Sequence, residues 1–125
     1  MILASRMERP PPTELGYVTI PVPNVSRAKT FFGALFGWAC AAEFGPNSAH
    51  VGNTRMPIGF STGGPTDYST LYFQVGDLAA MTANVKTLGG VAGEVAESPS
   101  GLSSVCKDDQ GTVFSLWQPA PGFES

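Results

Sequence analysis

The sequence predicts an α+β fold built from two βαβββ modules, and three observations carry that prediction. An alternating β-rich run followed by an amphipathic helical stripe occurs twice, 53 residues apart. Each stripe is preceded by a side chain suited to capping a helix N-terminus and is closed by a glycine. After each helix the chain breaks into short apolar runs punctuated by Gly, Pro and Asn, as successive short strands require.

The elements follow in order. Residues 1–13 include Pro10-Pro11-Pro12, which can neither continue a helix nor donate to a central strand, so they read as an extended arm. From Leu15 to Val22, Val18, Ile20 and Val22 alternate with Tyr17 and Thr19, which defines the first strand and its two faces. Asn24 stands at the N-cap position, Val25, Ala28, Phe32 and Leu35 recur at helical spacing, and Gly37 ends the helix. Trp38–Phe44, Ala49–Val51 and Met56–Ser61 are the strands that complete module one, residues 14–62. Gly63-Gly64-Pro65 opens a linker over 63–68 with no following Lys-Ser pair or helix N-terminus to hold a phosphate.

Module two, residues 69–119, repeats the pattern. Leu71, Phe73 and Val75 alternate with Thr70, Tyr72 and Gln74, Asp77 takes the place of Asn24, and Leu78, Met81, Val85 and Leu88 repeat the stripe. Gly90 lies at the offset of Gly37, and the strands Val91–Val95, Leu102–Cys106 and Thr112–Gln118 follow. Asp108-Asp109-Gln110-Gly111 is a turn whose glycine can take positive φ. A cap, a stripe and strand parity sharing one offset point to internal duplication. Residues 14–125, with a short tail over 120–125, form one domain, since 125 residues are too few for two independent cores.

Composition narrows the function classes. With 42% apolar and 14% charged residues the chain is a packing sequence, and a net charge of -3 with seven scattered Lys and Arg offers no phosphate-binding stripe, so no nucleic-acid partner is expected. No window approaches the roughly 20 apolar residues of a membrane span, and the opening Met1-Ile2-Leu3-Ala4 is too short for a signal peptide, so a cytoplasmic protein is expected. Cys40 and Cys106 have neither zinc-site nor redox-motif spacing and read as buried thiols.

The runs Leu15-Gly16-Tyr17-Val18-Thr19-Ile20-Pro21-Val22-Pro23-Asn24, Tyr72-Phe73-Gln74-Val75-Gly76-Asp77 and Asp108-Asp109-Gln110-Gly111-Thr112-Val113-Phe114-Ser115-Leu116-Trp117-Gln118-Pro119 together resemble the vicinal oxygen chelate superfamily, the group of glyoxalase I, bleomycin-resistance proteins and extradiol dioxygenases. The resemblance spans Glu14 to Pro119 and implies paired modules forming an open, cup-shaped mixed sheet with helices on its outer face, commonly as a homodimer. Metal-using members place ligands on the first strand, on the strand opening module two and on the last strand. Motif register puts Tyr17, Thr70 and Ser115 at those places, none of them a good ligand for a divalent metal. No metal site and no cofactor are therefore expected, and glyoxalase or dioxygenase activity is doubtful.

The face opposite the helices carries Tyr17, Thr19, Tyr72, Gln74, Ser115 and Trp117, a mixed aromatic and hydroxyl lining. With Phe60 and Thr70 these are the expected ligand-binding residues, and no catalytic residue is assigned. Tyr17 and Tyr72 read equally as binding groups or as packing. Trp117 shares parity with Ser115 and is the better pocket candidate than Trp38, which suits a core. His50, the one histidine, is poised near neutrality but has no evident partner, and Ser115 lacks the base and glycine elbow of a nucleophile. Phe31, Phe32 and Phe36 are too many for one narrow stripe, so some are expected at a subunit interface or against the arm.

The leading expectation is a metal-independent small-molecule binding protein, with weak compatibility with a cationic ligand from the acidic balance. The alternatives are a lyase, isomerase or oxygenase recruiting metal through residues such as His50 and Glu43, and a non-catalytic partner subunit. The flexible linker also makes exchange of modules between protomers a possibility.

Overall fold

In the computed structural model, residues 9–43 and 45–123 are described; the first part of the arm, Phe44 and the last two residues of the tail lie outside them. Module one runs β1 (Val18–Pro21), α1 (Val25–Phe36), β2 (Cys40–Glu43), β3 (Ser48–Val51) and β4 (Ile58–Ser61). Module two runs β5 (Tyr72–Gln74), α2 (Leu78–Thr87), β6 (Val91–Ala92), β7 (Ala96–Ser98), β8 (Gly101–Lys107) and β9 (Val113–Pro119). The sheets have the same topology: β1-β4-β3-β2 in the first and β5-β9-β8-β6 in the second, with β7 also pairing β8. In each, the opening strand runs parallel to the closing one, β1 on β4 and β5 on β9, while the remaining pairs are antiparallel.

The duplication extends to the caps. The Asn24 side chain accepts from the Arg27 N–H and the Asp77 side chain from the Ala80 N–H, both with extended backbone. The helix ends differ. Gly37 takes φ 70° after α1, but α2 stops at Thr87 and the left-handed position falls on Gly89 at φ 91°, one residue before the expected Gly90. A Cβ on Gly90 would collide with the Lys107 carbonyl, so that glycine admits β8 to the helix end instead of terminating the helix.

The linker is anchored at one point, where the Thr66 carbonyl accepts from Val113 N–H at 2.9 Å. The β8–β9 turn forms as expected: Gly111 has φ 85°, and Asp108 Oδ1 accepts from the N–H groups of Gln110 and Thr112, both at 2.8 Å. This turn also ties the modules together, because Arg27 reaches Asp109 and the Gln110 side-chain amide donates to the Asn24 carbonyl.

One apolar core serves both modules. Ile20, Val22, Phe60 and Val51 from the first sheet, Phe114, Leu116 and Val75 from the second, and the stripes of both helices belong to a single buried cluster. Phe32 stands at its centre, 5.7 Å from the Phe60 ring of the first sheet and 5.2 Å from the Phe114 ring of the second. Phe31 also meets Phe114, and Phe36 meets both Trp38 and Phe73. The expectation that some of these phenylalanines lie outside the intramolecular core is corrected: α1 packs against two sheets at once, so a broad aromatic face finds partners within one chain.

Candidate ligand site

Strand parity turns the other face of each sheet away from this core. On the first sheet, Thr19, Gly59 and His50 share one register row, and Tyr17 lies across it from just before β1. Tyr17 Oη is 3.2 Å from His50 Nδ1, with the two rings stacked at 5.7 Å. Gly59 makes this contact possible, since a Cβ there would strike the Tyr17 ring and hydroxyl. The partner that the sequence did not reveal for His50 is thus a phenol 33 residues away.

On the second sheet, Tyr72 is in register with Ser115 and Gln74 with Trp117, while Ser103 of β8 faces Trp117 across the β8–β9 pair. Tyr72, Trp117, Ser98, Ser100 and Ser103 line a groove of about 520 Å³, within the size range of small-molecule sites. Trp117 Nε1–H donates to the Ser100 carbonyl at 3.3 Å, which fixes the indole plane. Ser98 and Ser100 hydroxyls share a hydrogen bond of 3.0 Å. The three serines come from β7, the β7–β8 turn and β8. The Ser98-Pro99-Ser100-Gly101-Leu102-Ser103-Ser104 run was the available signal for them, but β7 has neither alternation nor β-branched residues to mark it as a strand.

The structure divides the expected site residues. Tyr72 and Trp117 meet in the groove. Tyr17 and Thr19 lie on the open face of the first sheet, and Thr70 is exposed ahead of β5. Ser115 is buried between its neighbours on β5 and β8. Phe60 is corrected: only 1% exposed, it points into the core beneath α1, because its strand parity is that of Ile58, not of Gly59. Gln74 lines a different cavity, of about 580 Å³, in the seam between modules with Leu35, Trp38, Phe73 and Met81. That seam is walled by core side chains, and the Asp77 carboxylate on its rim already caps α2, so it offers fewer uncommitted polar groups than the groove.

The titratable groups outside the groove have local roles. Burial raises the Asp108 carboxyl above its ordinary value; the Thr112 and Gln110 N–H groups pull it down, Asp109 pushes it up, and Arg27 lowers it again. Among the described residues, Asp108 Oδ2, Asp109 Oδ1 and Thr112 Oγ1 are buried without a hydrogen-bond partner. Cys106 is buried and Cys40 half-buried, both unpaired, and burial raises the Cys40 thiol against the opposing pull of Lys29.

Neither a protein-family model nor a curated protein sequence matches the chain. Solved structures do. TnmS3, an antibiotic binding protein from Streptomyces sp. CB03234, superposes with TM-score 0.68 at 18% identity over 90% of this chain and 100% of that one. The fosfomycin resistance protein FosX from Listeria monocytogenes, crystallised with Mn(II) and 1S,2S-dihydroxypropylphosphonic acid, gives TM-score 0.72 at 17% identity over 87% and 92%. A glyoxalase/bleomycin resistance protein/dioxygenase family enzyme from Burkholderia phytofirmans PsJN gives 0.70 at 16% over 86% and 100%. The chain shares the fold of these antibiotic-binding, fosfomycin-resistance and glyoxalase/bleomycin-resistance structures. At these identities the likeness establishes architecture, and activity must be argued from the side chains.

The metal that this fold often carries does not fit the residues here. Tyr17, Thr70 and Ser115 supply neutral hydroxyls where imidazole or carboxylate is needed, and the Tyr17 hydroxyl is already engaged by His50. Among the described residues, no three His, Cys, Asp or Glu side chains come together; the Glu43 side chain lies outside what is described.

Proposed function

We propose that this protein binds an aromatic or amphipathic small molecule without a metal ion, on the open face of its second sheet. The observation that carries the reading is the groove in which Tyr72 and Trp117 present apolar area beside three serine hydroxyls. The fold likeness to an antibiotic binding protein supports binding as an end in itself. Tyr17 and Tyr72 remain 48% and 60% exposed on open faces, so a homodimer in which one chain's first sheet covers the other's groove would bury both. A small-molecule ligand and a second copy are the proposed partners; the net charge of -3 argues against nucleic acid. Among the described residues no helix is long and apolar enough to cross a membrane. Two unpaired cysteines suit a reducing compartment, and we place the protein in the cytoplasm.

The test is a titration of chelator-treated protein with a library of aromatic antibiotics and metabolites, followed by Trp fluorescence. Saturable quenching that Trp117→Phe abolishes is expected; no response across the library would refute the reading.

One observation favours an enzymatic alternative, the Tyr17–His50 pair, since a phenol bonded to an imidazole can relay a proton. Metal-assisted chemistry through His50 would return near-stoichiometric metal from protein purified without chelator, whereas the binding reading expects none.

A further inference from the structure

Among the described residues, none that lines the groove carries a carboxylate, ammonium, guanidinium or imidazole. Its polar atoms are serine hydroxyls and one phenol, set between an indole and that phenol's ring. A charged ligand entering here would exchange water for neutral hydroxyls with no counter-charge, and an uncompensated charge loses far more on desolvation than a neutral polar group does. The acidic net charge of the chain therefore does not predict the charge of its ligand.

The hydroxyls also differ from one another. Ser98 Oγ lies 3.0 Å from Ser100 Oγ and donates to the Gly101 carbonyl at 3.4 Å. Either hydroxyl of this pair can donate to the other, so the pair can both accept from and donate to a ligand. Ser103 Oγ makes no side-chain hydrogen bond among the described residues and keeps its proton for a ligand.

We propose that the groove is selective for flat, uncharged ligands carrying a carbonyl oxygen, the carbonyl bonded to Ser103 and the ring stacked on Trp117 and Tyr72. This rests on the binding reading above and assigns the chemical class of its ligand.

Three naphthalenes of one shape test it by isothermal titration calorimetry at neutral pH: 6-acetyl-2-naphthol, which is uncharged, 6-hydroxy-2-naphthoic acid, which is anionic, and 6-(aminomethyl)-2-naphthol, which is cationic. The acetyl compound is expected to bind at least about 10-fold more tightly than either ion, as an unpaired charge in the groove requires. Ser103→Ala should weaken the acetyl compound about 3- to 10-fold, the range of one neutral hydrogen bond, and leave unsubstituted 2-naphthol unchanged. Ser103 has no bond within the fold to lose, so that variant should keep the wild-type circular dichroism spectrum.

Tighter binding of either ion, with Trp117→Phe still abolishing it, would overturn the neutral-ligand inference and leave the binding reading standing. An equal Ser103→Ala effect on 2-naphthol and on the acetyl compound would overturn the assignment of the carbonyl to Ser103. Failure of all three probes to bind would count against both.

Discussion

Replacing Phe32 tests how the groove is held in place. The ring is 1% exposed and contacts five other aromatic rings: Phe31 and Phe36 on its own helix, Trp38, Phe60 of the first sheet and Phe114 of the second. Truncation to alanine would cost about 3–5 kcal/mol in lost transfer energy and residual cavity. Against a total stability of about 5–15 kcal/mol that is a large fraction of the whole, and at the lower end it would unfold the chain. Phe32→Leu keeps much of the volume and removes the ring–ring contacts, for an expected cost of about 1–2 kcal/mol. With a urea slope of about 1–3 kcal/mol per M, the unfolding midpoint should fall by about 0.3–2 M.

Amide hydrogen exchange supplies the discriminating readout. Because Phe32 sits in module one but packs on Phe114 of β9, protection should fall in β8 and β9 as much as in β3 and β4. Loss confined to β3 and β4, or two separate unfolding transitions, would refute the single shared core.

Four further outcomes are expected. Asn24→Ala and Asp77→Ala should each cost about 1 kcal/mol and agree within about 0.5 kcal/mol in urea unfolding, because the two caps make the same bond. Gly59→Ala should leave stability within about 1 kcal/mol of wild type, since a lost neutral hydrogen bond is offset by alanine's advantage in a strand, yet it should displace the His50 ring resonances in NMR as Tyr17 moves aside. For Asp108 the folded-state pKa is raised, so the folded chain holds the proton more tightly than the unfolded one. Its stabilising contribution is complete below the ordinary carboxylate value and is lost as pH rises through the raised one. Asp108→Asn should therefore gain on wild type across that window in paired urea melts, and a constant difference would show that the carboxyl does not titrate as described. Trp117→Phe should cost no more than about 1 kcal/mol in urea unfolding, the worth of its lost bond to the Ser100 carbonyl, because the indole lines the groove instead of the buried cluster.

What the sequence revealed was local. The alternation of Val18, Ile20 and Val22 and the caps at Asn24 and Asp77 are set by residues two to four apart, and they appear as read. What it concealed was long-range. Nothing near Phe32 shows that α1 meets two sheets, so surplus phenylalanines looked like an interface. Phe60, between Gly59 and Ser61, has the parity of Ile58 and Ile20, which turns its ring to the core and not to the open face. The Tyr17–His50 contact depends on β1 and β3 both flanking β4, which only the topology supplies. Tyr72 and Trp117 were legible through parity, while their serine neighbours were not, because β7 forms by pairing with β8 and not from any strand preference of Ala96-Glu97-Ser98.

Binding at the groove without metal can be read from the two indoles separately. Trp117 lines the groove, and Trp38 packs against Phe32, Phe36, Phe60 and Phe73. In a proton–nitrogen correlation spectrum of ¹⁵N-labelled protein containing excess chelator, 6-acetyl-2-naphthol should shift the Trp117 indole N–H progressively and leave that of Trp38 in place. A Trp117 signal that stays still until a divalent metal replaces the chelator, or a shift confined to Trp38, would contradict it.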